Sequence, residues 1–276
     1  AFNKLFNLND KKNKLNINDL GYLIGPILNA GGRLGKSNYA TELLSSDNLE
    51  VVNIKSNELI KLNNKRKIIE TLILDKIDFK KIEKENKDVI IYYNPNINEG
   101  LIGIIAARLK DYYNKPSIVI TSSNDLLKGS ARSVYNYNIG HVIKNSLNNN
   151  IIISGGGHNM AGGFTLEKNK LKNFENFILK DFLNAGISSD HSFSYDAEVS
   201  SLAFNVNFYN NIKCLEPFGT GNPLPVFLFK NLKVIKATIL TGKHISVIFK
   251  SKVGFSIKSI SFNSVNSKVG EYLLNY

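Results

Sequence analysis

The sequence predicts an α/β protein: a set of helices, then an α/β domain of about a hundred residues, then a small β-barrel. Three observations predict it. From residue 89 the chain reads strand, helix, strand with short links, the pattern of a parallel βαβ pair. Residues 49–81 carry apolar side chains at helical spacing between many Lys and Glu. Beyond residue 226 four short segments alternate apolar and polar residues and are punctuated by Gly-Lys turns. With 276 residues, 43% hydrophobic and 21% charged, the chain can build two or three small cores and has the composition of a folded protein.

Residues 19–28 predict a short apolar helix broken at Gly25-Pro26, leading into a loop over 29–35 (NAGGRLG), with another short helix at 39–46. The long helix of 49–81 reads as a connector between domains or a bundle arm. Next come a strand at 89–93, a helix at 101–113, a strand at 117–121, a strand at 128–134, a helix at 139–147, a strand at 163–166 and an amphipathic helix at 168–182. Residues 192–199 suggest an edge strand and 204–215 a helix, before a segment with three prolines in nine residues (217–225). Strands follow at 226–229, 232–240, 245–249 and 255–261, and a final helix runs to Tyr276, so the barrel is expected to be incomplete. The N-terminus has no initiator Met and reads as cut from a longer chain. A single cysteine, Cys214, excludes a disulfide framework and fits a reducing cytosol, and no apolar run is long enough to span a membrane.

The net charge of +12 is uneven. Residues 1–88 carry 16 basic and 12 acidic side chains, 89–212 carry 10 and 9, and 213–276 carry nine Lys against Glu216 and Glu271. A tail holding +7 suits a polyanion, nucleic acid ahead of a membrane surface, although Asn, Lys and Ile enrichment of the kind an AT-rich genome produces also raises the Lys count. Within this bias 31 of the 35 basic residues are Lys, and only Arg33, Arg66, Arg108 and Arg132 carry the guanidinium fork that suits phosphate. Arg66 falls on the long polar helix, where a change to Lys is expected to matter little. Arg108 ends a helix whose Gly103, Ala106 and Ala107 make a small-residue face for packing on a sheet.

Three glycine-bearing motifs remain. In residues 154–163 (SGGGHNMAGG) consecutive glycines can form a backbone nest for phosphate oxygens, with His158 at the start of a following helix; a tight turn with a packed His is the alternative. In 129–133 (GSARS) Ser130 and Arg132 project to the same face of an extended chain and pair suitably with a phosphate, or else form an exposed polar strand end. In 29–35 Arg33 lies between glycines.

The ordered set NAGGRLG, GLIGIIAARL, GSARS, GGGHNMAGG and LEPFGTGNPLPVF resembles the RecJ family of single-strand-specific exonucleases, members of the DHH phosphoesterases, from about Asp19 to the C-terminus. The resemblance implies a DHH-associated α/β domain joined by a long helix to the tail of a DHH domain and followed by a partial OB-fold. It places the nuclease remnant at 1–48, the connecting helix at 49–88, the DHH-associated domain at 89–190 and the linker and OB-fold at 191–276. It implies a cytoplasmic 5′-to-3′ exonuclease of DNA repair and recombination, dependent on manganese or magnesium held by an upstream Asp-His-His domain that these residues lack. His141, His158, His191 and His244 stand isolated, and Asp190-His191 is a chance pair, so neither metal nor catalytic residues are assigned here. The implied partners are single-stranded DNA, with a single-strand-binding protein or a helicase, and no membrane. Carried onto matching positions, Arg33, Ser130, Arg132, Ser133, Gly156, Gly157 and His158 would hold DNA phosphates, and the basic barrel would track the strand. The sequence departs from the family at Ile27, where Arg is common, and at Ile97-Asn98, where Trp-His is frequent. A small DHH phosphoesterase acting on short oligonucleotides and a non-catalytic single-strand-binding module are the competing readings.

Overall fold

In the computed structural model, residues 1–9, 17–186, 194–219 and 221–276 are described, and they form two compact units, Ala1–Ser189 and Asp190–Tyr276. The pair Asp190-His191 lies outside the described residues.

The first unit begins with helices. α1 (Phe2–Leu8) and α2 (Ile17–Asp19) precede a π-helical turn, Leu20–Ile24, that runs directly into α3 (Gly25–Arg33). The expected break at Gly25-Pro26 and loop at 29–35 are therefore corrected: Pro26 occupies the first turn of α3, where its missing N–H costs nothing, and the helix continues through Gly31-Gly32 to Arg33. Close approach explains the glycine. A Cβ at Gly31 would lie 2.4 Å from the Lys36 carbonyl and 3.3 Å from the Leu59 side chain, and the Lys36 amide donates to the Gly31 carbonyl at 2.7 Å. Gly35, at φ +80°, turns the chain out of the helix. α4 (Asn38–Ser45) and α5 (Leu49–Asp75) follow, and Ile24, Ile27, Leu43, Val52 and Leu59 pack with Leu5 and Phe6 in one core. Ile27 is thus a core residue.

The long helix is shorter than its pattern predicts. α5 stops at Asp75, Ile77 turns into the next core, and Asp78 accepts from the Lys81 amide to start α6 (Phe79–Glu85).

An α/β layer completes the unit: β1 (Ile90–Tyr93), α7 (Glu99–Tyr113), β2 (Ser117–Ser123), β3 (Leu126–Arg132), α8 (Ile139–Asn148), β4 (Ser154–His158), β5 (Ala161–Glu167) and α9 (Leu171–Asn184). The sheet order is β1-β2-β3-β5-β4; β1 and β2 are parallel across α7, and the other pairs are antiparallel. α7 packs Leu101, Ile105 and Leu109 with Ile90 and Val119 on one face. On the other face Ile139 and Ile143 of α8 and Phe174 and Ile178 of α9 meet Ile118, Ile120, Leu127 and Phe164. β4 is a correction. The glycine run is a strand paired with β5, not a loop, and a strand rather than a helix follows His158.

The second unit holds β6 (Ala197–Glu198), α10 (Val206–Lys213) and β7 (Phe227–Leu228), with β6 and β7 parallel. Of the edge strand expected at 192–199, the described residues 194–199 are in strand form at β6 alone, and residues 192 and 193 lie outside the described part. β8 (Leu232–Leu240), β9 (His244–Ser251) and β10 (Ser256–Ser261) form an antiparallel meander, and α11 (Lys268–Leu274) closes it. Val234, Ile245, Val247 and Leu273 make its core. The two sheets are not joined into a closed barrel among the described residues, the form of a partial OB-fold. None of the described helices is long and apolar enough to cross a membrane.

Candidate nucleic-acid interface

Strand register decides which of the candidate residues share a surface, because directly paired residues point to the same side of a sheet. Tyr92, Val119, Ser130, Gly163 and Gly156 form one cross-strand row. Ile90, Ser117, Arg132, Ala161 and His158 form the next row on the same face. α7 covers the β2–β3 part of this face. Over β5 and β4 the floor is bare: a Cβ at Gly156 would meet nothing within 4 Å, and one at Gly163 only the Gly129 carbonyl at 3.7 Å. Ser130, Arg132, Gly156 and exposed His158 thus border one open glycine floor.

Two candidates fall elsewhere. Ser133, one residue past Arg132, is fully buried, and its hydroxyl donates to the Tyr137 carbonyl at 2.6 Å, fixing the turn into α8. Gly157 has the opposite parity to Gly156. A Cβ there would lie 2.4 Å from the Ala161 carbonyl, and Gly140 of α8 sits against the Gly157–His158 backbone, where its own Cβ would come within 2.8 Å. In this structure Ser133 and Gly157 shape the hairpin and its backing helix rather than the open face.

Arg132 is half-buried. Its Nη1 donates to the Ser130 hydroxyl at 3.2 Å and to the Ala131 carbonyl at 2.8 Å. Burial lowers its pKa from the usual guanidinium range, which still leaves it cationic. Gly103 of α7 lies directly over this pair: a Cβ there would be 2.9 Å from Arg132 Nη2 and 3.1 Å from Ser130 Oγ. The small-residue face of α7 therefore divides. Ala106 packs in the core, whereas Gly103 leaves room for the guanidinium.

Arg33 ends α3, and the first turn of α7 abuts its backbone; a Cβ at Gly100 would lie 2.3 Å from the Arg33 carbonyl oxygen. A cavity of about 500 Å³ opens here, lined by Gly32, Arg33, Gly35, Asn98, Glu99 and Gly100. Asn98 caps α7 by accepting from the Gly100 amide at 2.8 Å, and Glu99 is held by Lys128 at 2.6 Å, which keeps its carboxyl below the usual range. Burial lowers the pKa of Arg33, and repulsion from Arg66 and Arg132 adds to this while Glu70 opposes it.

The sequence reading missed the other two arginines. Arg66 is buried on α5, donating to Glu70 and, at 2.8 Å, to Asn63. Its Nε has no partner. Arg108 of α7 donates to the other Glu70 oxygen at 2.7 Å. The expectation that Arg66 is a bystander is corrected, since the residue is 6% exposed and its guanidinium is held in a hydrogen-bonded network. Its signal was present in the sequence as an Arg–Glu pair at i, i+4 with Asn63 three residues earlier.

On the second unit, register gathers Lys233, Lys236, Lys250 and Lys258 on one exposed face with Ile248 and Ile260, opposite the Val234–Ile245–Val247 core. The irregularity between Val234 and Lys236 is what brings Lys236 to the same side as Lys233. Lys233 and Lys250 are direct cross-strand partners, a like-charge pairing that costs stability unless a polyanion answers it.

Among the described residues no three His, Cys, Asp or Glu side chains come together as metal ligands, so these residues do not fit a divalent metal.

Comparison with known proteins agrees with this architecture. Residues 86–184 match the family model of the DHHA1 domain, and residues 195–272 that of the RecJ OB domain. A DHHA1 domain followed by a RecJ OB domain defines the class of chain this is: a DHH-associated domain with an OB domain behind it. The chain is 31% identical over 265 residues to the single-stranded-DNA-specific exonuclease RecJ of Haemophilus influenzae, covering 91% of this chain and 46% of that protein. It is 28% identical over 262 residues to the Escherichia coli RecJ, covering 91% and 45%. The fold superposes on the crystal structure of Thermus thermophilus RecJ in complex with Mn2+ with a TM-score of 0.74 at 22% identity, covering 90% of this chain and 36% of that one. The chain belongs to the RecJ family. It spans less than half the length of the curated relatives named here.

Proposed function

We propose that the chain is the strand-holding part of a cytoplasmic, metal-dependent exonuclease that degrades single-stranded DNA in the 5′-to-3′ direction during repair and recombination. Manganese or magnesium would be bound by a DHH domain and would supply a polarised phosphate and an activated water. The residues present bind and orient the strand. Arg33, Ser130, Arg132, Gly156 and His158 hold a backbone phosphate on the glycine floor, the guanidinium fork of Arg132 fixing its angle. Ser133 and Gly157 support that face from behind. The four-lysine face of the second unit attracts further phosphates without reading bases. A single-strand-binding protein or a helicase would present the strand.

The observation that carries this reading is the convergence of Ser130 and Arg132 beneath Gly103, beside a floor that has no side chains above it. The names of the relatives support the substrate, and the OB match over 195–272 favours it over a short oligonucleotide. The test is binding of a fluorescent oligothymidylate to the 276-residue chain by anisotropy. Arg132→Lys keeps the charge and loses the fork, and is expected to weaken affinity about ten- to a hundredfold, the equivalent of one charge-assisted hydrogen bond at ~1.5–3 kcal/mol. Wild-type affinity in the folded variant would refute the site.

A further inference from the structure

All four arginines of a chain that otherwise uses Lys sit on or against helices α5 and α7, and one carboxylate accepts from two of them. Glu70, on α5 and 6% exposed, accepts from Arg66 with one oxygen and from Arg108 with the other. Arg66 shares its element with Glu70, whereas Arg108 belongs to α7, so the carboxylate ties the two helices together. α7 is the helix whose Gly100 abuts Arg33 and whose Gly103 receives Arg132. Arg33 feels the repulsion of Arg66 and Arg132 and the opposing attraction of Glu70.

We propose that Glu70 is a positioning residue of the phosphate site: through Arg108 it sets α7 against α5, and so fixes the helix whose Gly100 abuts the Arg33 backbone and whose Gly103 lies over Arg132. This rests on the reading of Arg33 and Arg132 as phosphate ligands. Without the tie, α7 is free to shift against α5, and with it the Gly100 backbone that seats Arg33 at the end of α3. The added positive charge raises only long-range attraction, which salt at physiological strength screens within about 8 Å. Glu70 does not touch the strand. It acts through α7 on the seat of Arg33, and its effect therefore depends on what stands at position 33.

The test uses that dependence in the 276-residue chain, with oligothymidylate binding read at physiological salt and folding read by circular dichroism. Glu70→Gln is expected to weaken binding about tenfold, as Arg33→Lys does, and the double variant to bind no more weakly than Arg33→Lys alone. Arg108→Gln cuts the same tie from its exposed side and leaves Arg66 paired; it should weaken binding several-fold and likewise add nothing to Arg33→Lys. It decides the matter if Glu70→Gln fails to fold, because a buried Arg66 would then lack its counter-charge. Wild-type affinity in folded Arg108→Gln, or losses that add in full to Arg33→Lys, would overturn the proposal. A wild-type chain that does not bind the oligonucleotide overturns the site itself, a result distinct from either.

Discussion

Replacing Gly103 by Ala should make the protein no less stable and yet worse at holding a strand. The new methyl would sit 2.9 Å from Arg132 Nη2 and 3.1 Å from Ser130 Oγ, closer than a carbon approaches either atom without one of them moving. Both neighbours are ends of side chains, and the guanidinium is the more flexible, so Arg132 yields while α7 and the sheet stay in place. Yielding breaks its bonds to Ser130 Oγ and the Ala131 carbonyl and turns the fork away from its working angle. The cost to binding is about one charge-assisted hydrogen bond, ~1.5–3 kcal/mol or roughly ten- to a hundredfold in affinity. Against this, Ala in mid-helix is worth ~0.5–1 kcal/mol over Gly. The expected signature is a melting temperature equal to or above wild type with weakened oligothymidylate binding. Gly100→Ala supplies the contrast: its Cβ would strike the Arg33 backbone at 2.3 Å, and backbone cannot swing aside, so it should lose about 1–3 kcal/mol of stability. A Gly103→Ala protein that binds like wild type, or that unfolds as Gly100→Ala does, would show that the space over Arg132 is packing and not a fitted recess.

Arg66→Lys should lower the melting temperature, losing about 2 kcal/mol, because one ammonium cannot reach both Asn63 and Glu70 from the buried stem; a thermal melt matching wild type would contradict the network. Lys236→Gln together with Lys258→Gln should flatten the slope of log K against log salt by about 1.4 in single-strand binding, at about 0.7 per phosphate neutralised; an unchanged slope in a salt titration would place the strand off that sheet. Tyr113 donates to the Phe79 carbonyl at 2.9 Å, and burial, ahead of the nearby Glu83, Tyr112 and Asp78, pushes its phenol up to about 12 from 10.0. The unfolded chain thus releases this proton first, and stability falls as pH rises from about 10 to 12. Alkaline melts should show that decline in wild type and less of it in Tyr113→Phe.

Much of the fold could be read from side-chain period, and the errors share a cause. Strands β1, β2, β3 and β5 and helices α7, α8 and α9 carry apolar residues at spacings that announce themselves, and each lies within a few residues of its expected place. β4 and the end of α3 could not announce themselves, because Gly155-Gly156-Gly157 and Gly31-Gly32 have no side chains to alternate. What fixes them is tertiary. β5 supplies the ladder for β4, Gly140 of α8 presses on its end, and Leu59 and the Lys36 carbonyl press on Gly31. A glycine run is locally ambiguous between loop, strand and helix, and only the partner resolves it.

The site shows the same limit from the polar side. Period two placed Ser130 and Arg132 together, and the register confirms that shared face, while Ser133 lies past the end of the strand, where its buried hydroxyl serves the turn. The alternation that recommended the first two should have excluded the third. On α5, many Lys and Glu side chains read as a solvated surface, which hid a buried strip of Asn63, Arg66 and Glu70. Charge alone cannot mark that strip, since a paired guanidinium and a free one are spelled alike. Scarcity marks it better. Where Lys would serve any exposed position, an Arg points to a need for fixed geometry, and here three of the four meet that need in hydrogen bonds, Arg66 and Arg108 on Glu70 and Arg132 on Ser130 and the Ala131 carbonyl, while Arg33 lines the cavity beside Gly100. The arginines of the structural network and those of the proposed phosphate site are joined through α7, which carries Arg108 at one end and lies against Arg33 and Arg132 at the other. Perturbing either set should be felt by the other through that helix.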